Sequence, residues 1–442
     1  MNLSEVAQRI FEPFKSSTAG NSVAVLWNHQ VIYSHVAGWA DVQKQVPITP
    51  ETPFCIGSIT KTMVALCIMQ LVEGGKIKLD DPVEQHLKSI QIHSPFVNNP
   101  IRIRHLLTHT SGLGYFRSLT DLLLPAGALG SLKDAPPLPE YYRKGLTPIY
   151  PPEDRWSYCN HAFALLGQLV EDVTGQPFSE VLIQRVLLSA GMQNPAYGRP
   201  EKRALPHLQK KQGFKAAPDL DIVVKPAGAV FANLNDMVAY AQSLLVFSPA
   251  LLKPESFKEV FQRHHQVHPD LMGMGLGFLI ENQGGHEVYS HSGGWIGYNS
   301  NLFVCPEKGL AVVVMANSAS PEVQTLPLKF LQEALGQPEP QETRLPLSSL
   351  KFARSYAEQV RGVEKPLVFL SQPGGLKLRF QNGKLLIHTL TGPWRRGVNL
   401  KPLGQNVFEI EDPEQPLKCA LEVQGNRVTA LCLGLNRLQG HF

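Results

Sequence analysis

Apolar and polar positions change their spacing along the chain, and each change predicts a different element. VAVLWNHQVIYSHVAGWA, from Val23 to Ala40, places two β-rich runs around Asn28-His29-Gln30, which predicts a hairpin. Before it, MNLSEVAQRIFEPFKSS alternates apolar and charged residues at helical spacing. A second helix is predicted from Ser58, with Met63, Leu66, Met69 or Leu71, and Val72 at helical spacing and Gly74-Gly75 as its stop. HAFALLGQLVEDVTG (His161 to Gly175) reads as a helix stopped by Gly175, and NLNDMVAYAQSLL (Asn233 to Leu245) as one capped by Asn233 or Asn235. The segment from Leu132 to Trp156 holds too many prolines for regular structure and predicts a long loop. From Gly275 to Ser318 the β pattern returns in four runs spaced as an antiparallel meander, and Pro327 to Gly336 closes it as a helix.

Both ends of this region therefore supply strands and its middle supplies helices. The predicted class is α+β, an antiparallel sheet flanked by helices with a helical subdomain, over residues 1–336. Residues 337–346 have linker composition. Residues 347–442 carry short strands with turn signals, including Asn382-Gly383 and Gly425-Asn426, which predicts a small β-barrel or sandwich.

Composition narrows the function. A formal charge of +4 on 442 residues, without a dense Lys/Arg run, disfavours nucleic acid as a partner. No apolar stretch approaches the roughly 20 residues that span a bilayer, so no membrane partner is expected. The N-terminus lacks the basic and apolar regions of a secretion signal. The six cysteines show no framework spacing and read as free thiols of a cytoplasmic protein, with one candidate pair, Cys419 and Cys432, across a hairpin.

Ser58 and Lys61 lie three apart, on one face of a helix, so hydroxyl and amine can meet. Ser58 stands where free N–H groups and the helix dipole favour an oxyanion. Serine needs a base to become a nucleophile, and a lysine desolvated in a pocket can serve. The same residues have a structural reading, serine as N-cap and lysine reaching solvent. SYCN supplies Tyr158 as a second candidate base and Asn160 as a donor to substrate or a hold on Lys61. HSGGWIGY, from His291 to Tyr298, follows a strand, and its glycines permit close approach of a substrate backbone. There His291 can polarise the tyrosine or contact substrate, and Ser292 can bond it.

In this order, separated by about 100 and 130 residues, the three groups resemble the serine β-lactamase and penicillin-binding-protein family, whose first motif is Ser-x-x-Lys. The resemblance is nearest to the class C β-lactamase-related group, with its D-alanyl-D-alanine carboxypeptidases, D-aminopeptidases and family VIII esterases. It covers roughly residues 1–335 and includes IRIRHLLTHTSGLG and HSGGWIGYNSNLFVCPEKGLAVVVMANS. The resemblance implies Ser58 as the acylated nucleophile, with Lys61 and Tyr158 exchanging protons with it and the leaving group. Asn160, Ser292, Gly293 and Gly294 would contact substrate, and the oxyanion hole would use the N–H groups of Ser58 and Gly294. No cofactor or metal is implied. His291-Ser292-Gly293 replaces the Lys-Thr-Gly of many class C β-lactamases, which favours a small peptide amide or ester as substrate over a β-lactam. A scaffold or ligand-binding protein keeping the fold, or a weak β-lactamase, are the alternatives. The C-terminal domain resembles the lipocalin-like domains of some of these peptidases, through which homo-oligomers can form.

Other groups read as structural. RHHQVH (Arg263 to His268) is expected to be a solvated loop rather than a metal site, and His105 and His109 a structural pair. Gly112 and Tyr298 are candidates for lining the cleft, and Cys159 is read as a packed thiol.

Overall fold

The computed structural model describes residues 2–114, 130–131, 134–336, 367–369, 376–381, 384–389, 393–404, 406–412, 417–424 and 427–439. The chain forms two compact units, Met1–His264 with Met274–Gly336, and His265–Gly273 with Gln337–Phe442.

In the first unit the predicted hairpin is present as β1 (Gly20–Trp27) and β2 (Gln30–Asp41). Asn28 and His29 both take positive φ, +49° and +65°, which matches the right-handed strand twist in a two-residue turn. Val46–Pro47 (β3) extends the edge. The late meander is β4 (Gly273–Met274), β5 (Leu279–Gln283), β6 (His286–Trp295), β7 (Tyr298–Cys305) and β8 (Leu310–Ala316). The first and last strands meet, because β1 pairs antiparallel with β8, and the eight-stranded order is β4-β5-β6-β7-β8-β1-β2-β3.

Strand alternation builds two cores. Ala24, Leu26, Leu302, Val304, Val313 and Met315 face one layer. Val23, Val25, Phe303, Cys305, Val312 and Val314 face the other. The second layer is α1 (Leu3–Phe11) with α6 (Glu322–Ala334), and their surfaces are joined by the Arg9–Glu333 ion pair. Helix α6 begins five residues before the expected start and carries Pro327 inside it. Burial of Val323, Pro327, Phe330 and Leu331 outweighs the one backbone bond the proline removes.

The first layer holds α2 (Thr60–Glu73), α3 (Asn160–Thr174), α4 (Leu234–Leu245) and α5 (Pro254–Phe261). Gly175 ends α3 at φ +68°, and the Asn233 side chain caps α4 by accepting from the Asp236 amide at 2.8 Å. Helix α2 is buried all round, Lys61 included, so its apolar pattern marks a central helix rather than a one-sided one.

The second unit is a single antiparallel meander in the order β9 (Leu367–Phe369), β10 (Leu376–Gln381), β11 (Lys384–Thr389), β12 (Val398–Gly404), β13 (Val407–Ile410), β14 (Leu417–Gln424), β15 (Arg427–Leu433) and β16 (Asn436–Gln439). Gln381 pairs with Lys384 and Gln424 with Arg427, around the two expected hairpin tips. The tips themselves and the expected linker lie outside the described residues.

Two expectations change here. Cys419 pairs with Leu433 while Cys432 pairs with Ala420, so the offset of one residue puts the two thiols on opposite faces, and all six cysteines are free. The RHHQVH stretch is half-buried rather than solvated. His264 Nε2 lies 2.8 Å from the Glu259 carbonyl in the first unit, and His265 Nε2 lies 2.9 Å from the Leu435 carbonyl in the second. Val267 and Leu271 pack on Val407, Ala420 and Cys432. Among the described residues no helix is long and apolar enough to cross a membrane.

Candidate active site

Ser58 does not cap a helix. Phe54–Cys55 pairs with Val230–Ala232, and a single 3₁₀ turn, Gly57–Ile59, then leads into α2. The turn is made possible by Gly57 at φ +52°, where a Cβ would stand 2.7 Å from the Gly294 amide nitrogen. Gly293 meets the same turn: a Cβ there would lie 2.0 Å from the Ile56 carbonyl oxygen and 2.2 Å from Ser300 Oγ. Ser300 Oγ itself donates to that carbonyl at 2.8 Å. The two backbones, Ile56–Ser58 and Gly293–Gly294, are thus in direct contact because neither glycine carries a side chain.

Ser58 Oγ accepts from Lys61 Nζ at 2.8 Å and from Tyr158 Oη at 2.7 Å. Ser58 is half-buried while Lys61 is fully buried, with Nζ 5.0 Å and 5.6 Å from the ring centroids of Tyr158 and Phe163. Burial holds the lysine well below its usual basicity, and no ion pair involves it among the described residues. Its other partner is the Ala227 carbonyl at 2.6 Å, on the turn Lys225–Ala227. That corrects the expectation that Asn160 holds Lys61. Asn160, the first residue of α3, is half-buried, and its amide makes no hydrogen bond among the described residues.

β5 pairs with β6 only from His286 to Ser290, so from His291 to Trp295 β6 has a strand partner on the β7 side alone among the described residues. Gly294 lies exposed on this stretch, with open space where a Cβ would project. His291 is buried, its ring 6.3 Å from that of Tyr158. Nδ1 lies 2.7 Å from the Ser292 carbonyl. Burial first, then the nearby Lys61, lowers its pKa to about 3, so the ring is neutral, donates through Nδ1 and keeps Nε2 as an acceptor. The Ser292 hydroxyl is half-buried and makes no hydrogen bond among the described residues.

Two site members escaped the sequence reading. The Ala227 carbonyl is backbone and has no side-chain signature. His109 stands behind Tyr158, ring centroids 4.4 Å apart, fully buried and kept neutral chiefly by that burial. Its signal was the Thr-His-Thr-Ser-Gly stretch, whose histidine is set at φ +59°. His105 instead serves the loop, with Nδ1 accepting from the Arg102 amide at 3.1 Å. Tyr298 does not line the cleft: it is buried and donates to the Ala204 carbonyl at 2.6 Å. Gly112 packs against Tyr150, whose carbonyl oxygen would be 1.9 Å from a Cβ. Cys159 is a packed thiol, bonded to the Gly114 carbonyl at 3.3 Å and raised by burial to about 11. Among the described residues no three His, Cys, Asp or Glu side chains gather as a metal site.

A buried lysine and a tyrosine both bonded to one accessible serine are an arrangement that can make a nucleophile of its hydroxyl. The family model described as Beta-lactamase matches residues 7–335. The chain is 27% identical over 377 residues to a D-aminopeptidase of Brucella anthropi, covering 82% of this chain and 68% of that protein. It is 28% identical over 341 residues to esterase EstB of Burkholderia gladioli, covering 67% of this chain and 86% of that one. The octameric penicillin-binding protein homologue from Pyrococcus abyssi shares the fold over 99% of this chain and 98% of its own, at 23% identity and a TM-score of 0.63.

Proposed function

The chain belongs to the β-lactamase family, and from that premise we propose that this serine hydrolase acylates Ser58 with a small peptide amide, of the D-amino acid peptidase type, or with an ester. The observation that carries the reading is the pair of contacts on Ser58 Oγ, 2.8 Å to Lys61 Nζ and 2.7 Å to Tyr158 Oη.

Neutral Lys61, or Tyr158 as phenolate, takes the Ser58 proton as Oγ attacks the substrate carbonyl. The C–O bond forms and the carbonyl electrons move onto oxygen. The N–H groups of Ser58 and Gly294 then meet that oxyanion, a role supported by the contact of the Gly57 and Gly294 backbones. Tyr158 delivers a proton to the leaving amine or alcohol, which departs with its bonding electrons; where Lys61 took the Ser58 proton, the lysine passes it on to the phenolate left behind. Water repeats the sequence to release the acid. Ser292 and Asn160, with hydrogen-bonding groups uncommitted among the described residues, hold the substrate along Gly293 and Gly294. His291 supplies a neutral acceptor rather than the cation a lysine would place there. That difference supports an amide or ester substrate over a β-lactam carboxylate. The reaction is assigned to residues 1–336.

The test is labelling of Ser58 by a fluorophosphonate probe, with turnover measured on D-amino acid amides, p-nitrophenyl esters and nitrocefin. Ser58→Ala is expected to lose labelling and turnover while keeping its melting temperature. Turnover undiminished in that variant would remove Ser58 from the mechanism.

A further inference from the structure

Tyr158 sits in an irregular segment. Residues 155–159 belong to neither helix nor strand, so no ladder fixes the phenol over Ser58. What holds the segment is the stretch from His109 to Gly112. The Glu153 amide donates to the Thr110 carbonyl at 2.8 Å, and the Ile149 amide to the Gly112 carbonyl at 2.8 Å. The backbone amides on either side of the tyrosine both donate to one residue. The Ser157 amide donates to the His109 carbonyl at 2.8 Å. The Cys159 amide donates to His109 Nδ1 at 3.1 Å. The residues on either side of Tyr158 are therefore pinned by the backbone and the side chain of His109, while its ring lies 4.4 Å from the phenol ring at an interplanar angle of 37°.

We propose that His109 is a positioning residue for the reaction, which fixes the Tyr158 hydroxyl on Ser58 by gripping both neighbouring amides and backing the phenol ring. The inference rests on the reading of Tyr158 as a proton carrier. Two properties of His109 fit this task. Its φ of +59° lies in the left-handed region, which brings carbonyl and imidazole to the same segment. Because Nδ1 accepts, the ring proton is on Nε2, and that nitrogen is buried without a hydrogen-bond partner among the described residues. A ring kept for its packing or its charge would not need Nδ1 facing an amide; a ring kept to hold the Cys159 amide does.

The test compares two amides. In His109→Asn the side-chain oxygen stands where Nδ1 stands, and asparagine tolerates positive φ. In His109→Gln the oxygen stands nearer the Nε2 position and the Cys159 amide loses its acceptor. Labelling of Ser58 by the fluorophosphonate probe and turnover of a p-nitrophenyl ester are measured for the full chain. H109Q is expected to lose roughly 30- to 100-fold in kcat, with KM changed less than about two-fold, as displacement of a reacting group by about 1 Å predicts. H109N is expected to stay within about five-fold of wild type. A double-mutant cycle with Tyr158→Phe decides whether the effect runs through the phenol: H109Q added to Y158F should cost less than about two-fold more. Equal losses in H109N and H109Q that track their melting temperatures, or full additivity with Y158F, would overturn the proposal. Wild-type kcat in Y158F would instead overturn the role of Tyr158 itself. Impaired Y158F with unimpaired H109Q would remove His109 alone.

Discussion

Lys61 is an expensive residue for the fold to keep. Its side chain is fully buried, bonded to a serine hydroxyl and a backbone carbonyl, with no carboxylate in an ion pair among the described residues. Burial lowers its pKa in the folded state relative to 10.5. At neutral pH the unfolded chain therefore binds a proton that the folded chain resists, which destabilises the fold. The penalty is full below the lowered folded pKa, shrinks as pH rises above it, and is gone above the unfolded value of 10.5. Lys61→Met keeps the unbranched apolar stem without the amine. It is expected to lose at least about 10²–10³-fold in turnover and to gain about 1–3 kcal/mol of stability near pH 7, a gain that shrinks toward pH 10–11. Thermal unfolding across pH checks both signs; a K61M chain less stable than wild type at pH 7 would show that the amine stabilises the fold. In wild type, turnover should fall as pH drops through the lowered lysine pKa, because a protonated amine cannot take the Ser58 proton.

At the scale of elements, the site depends on how closely β6 approaches the turn before α2. Gly293→Ala places a methyl carbon 2.0 Å from the Ile56 carbonyl oxygen, a backbone atom that cannot rotate away. A loss of about 3 kcal/mol is expected, with activity falling alongside it. Gly294→Ala meets nothing within 4 Å and needs no unusual φ. Its melting temperature should stay within the range of a surface substitution, about 0.5 kcal/mol, while kcat/KM falls because the methyl group stands at the open strand edge. If both variants lose stability and activity together, the edge at Gly294 is not where substrate lies. These contrasts mark what the chain makes legible. Periodicity and turn chemistry act locally, so the first hairpin, the Gly175 stop, the Asn233 cap and the late meander can be read directly. Ser-x-x-Lys reports that two side chains share a helical face, but not that Ser58 sits in a 3₁₀ turn ahead of the helix. Register is set by distant partners. Hence the one-residue offset that parts Cys419 from Cys432, and the carbonyl of Ala227 on Lys61, appear only in three dimensions. The grip of His109 on the Tyr158 segment is of the same kind.

For the whole molecule, the units do not follow the boundary suggested by composition. Residues His265–Gly273 lie between segments of the first unit in sequence yet belong to the second. The base of this excursion is closed by the His264 amide bonding the Met274 carbonyl at 2.9 Å. Within the second unit, Val267 and Leu271 cover Val407, Ala420 and Cys432, and the Leu435 carbonyl accepts from His265. A chain ended at Gly336 would keep the active-site residues but leave two apolar side chains and a histidine without partners. Fully burying a side chain such as Val or Leu is worth about 1.5–3 kcal/mol, so exposing both favours self-association of the truncated chain. It is expected to form soluble aggregates in light scattering and to melt below the full chain. Val267→Ser with Leu271→Ser in the truncated chain should restore a single species with Ser58 still labelled by the fluorophosphonate probe. The same pair of substitutions in the full chain should instead weaken the second unit, because there the two side chains fill a core. A truncated chain as stable and as monodisperse as the full one would mean that the excursion gains nothing from the sheet it packs on.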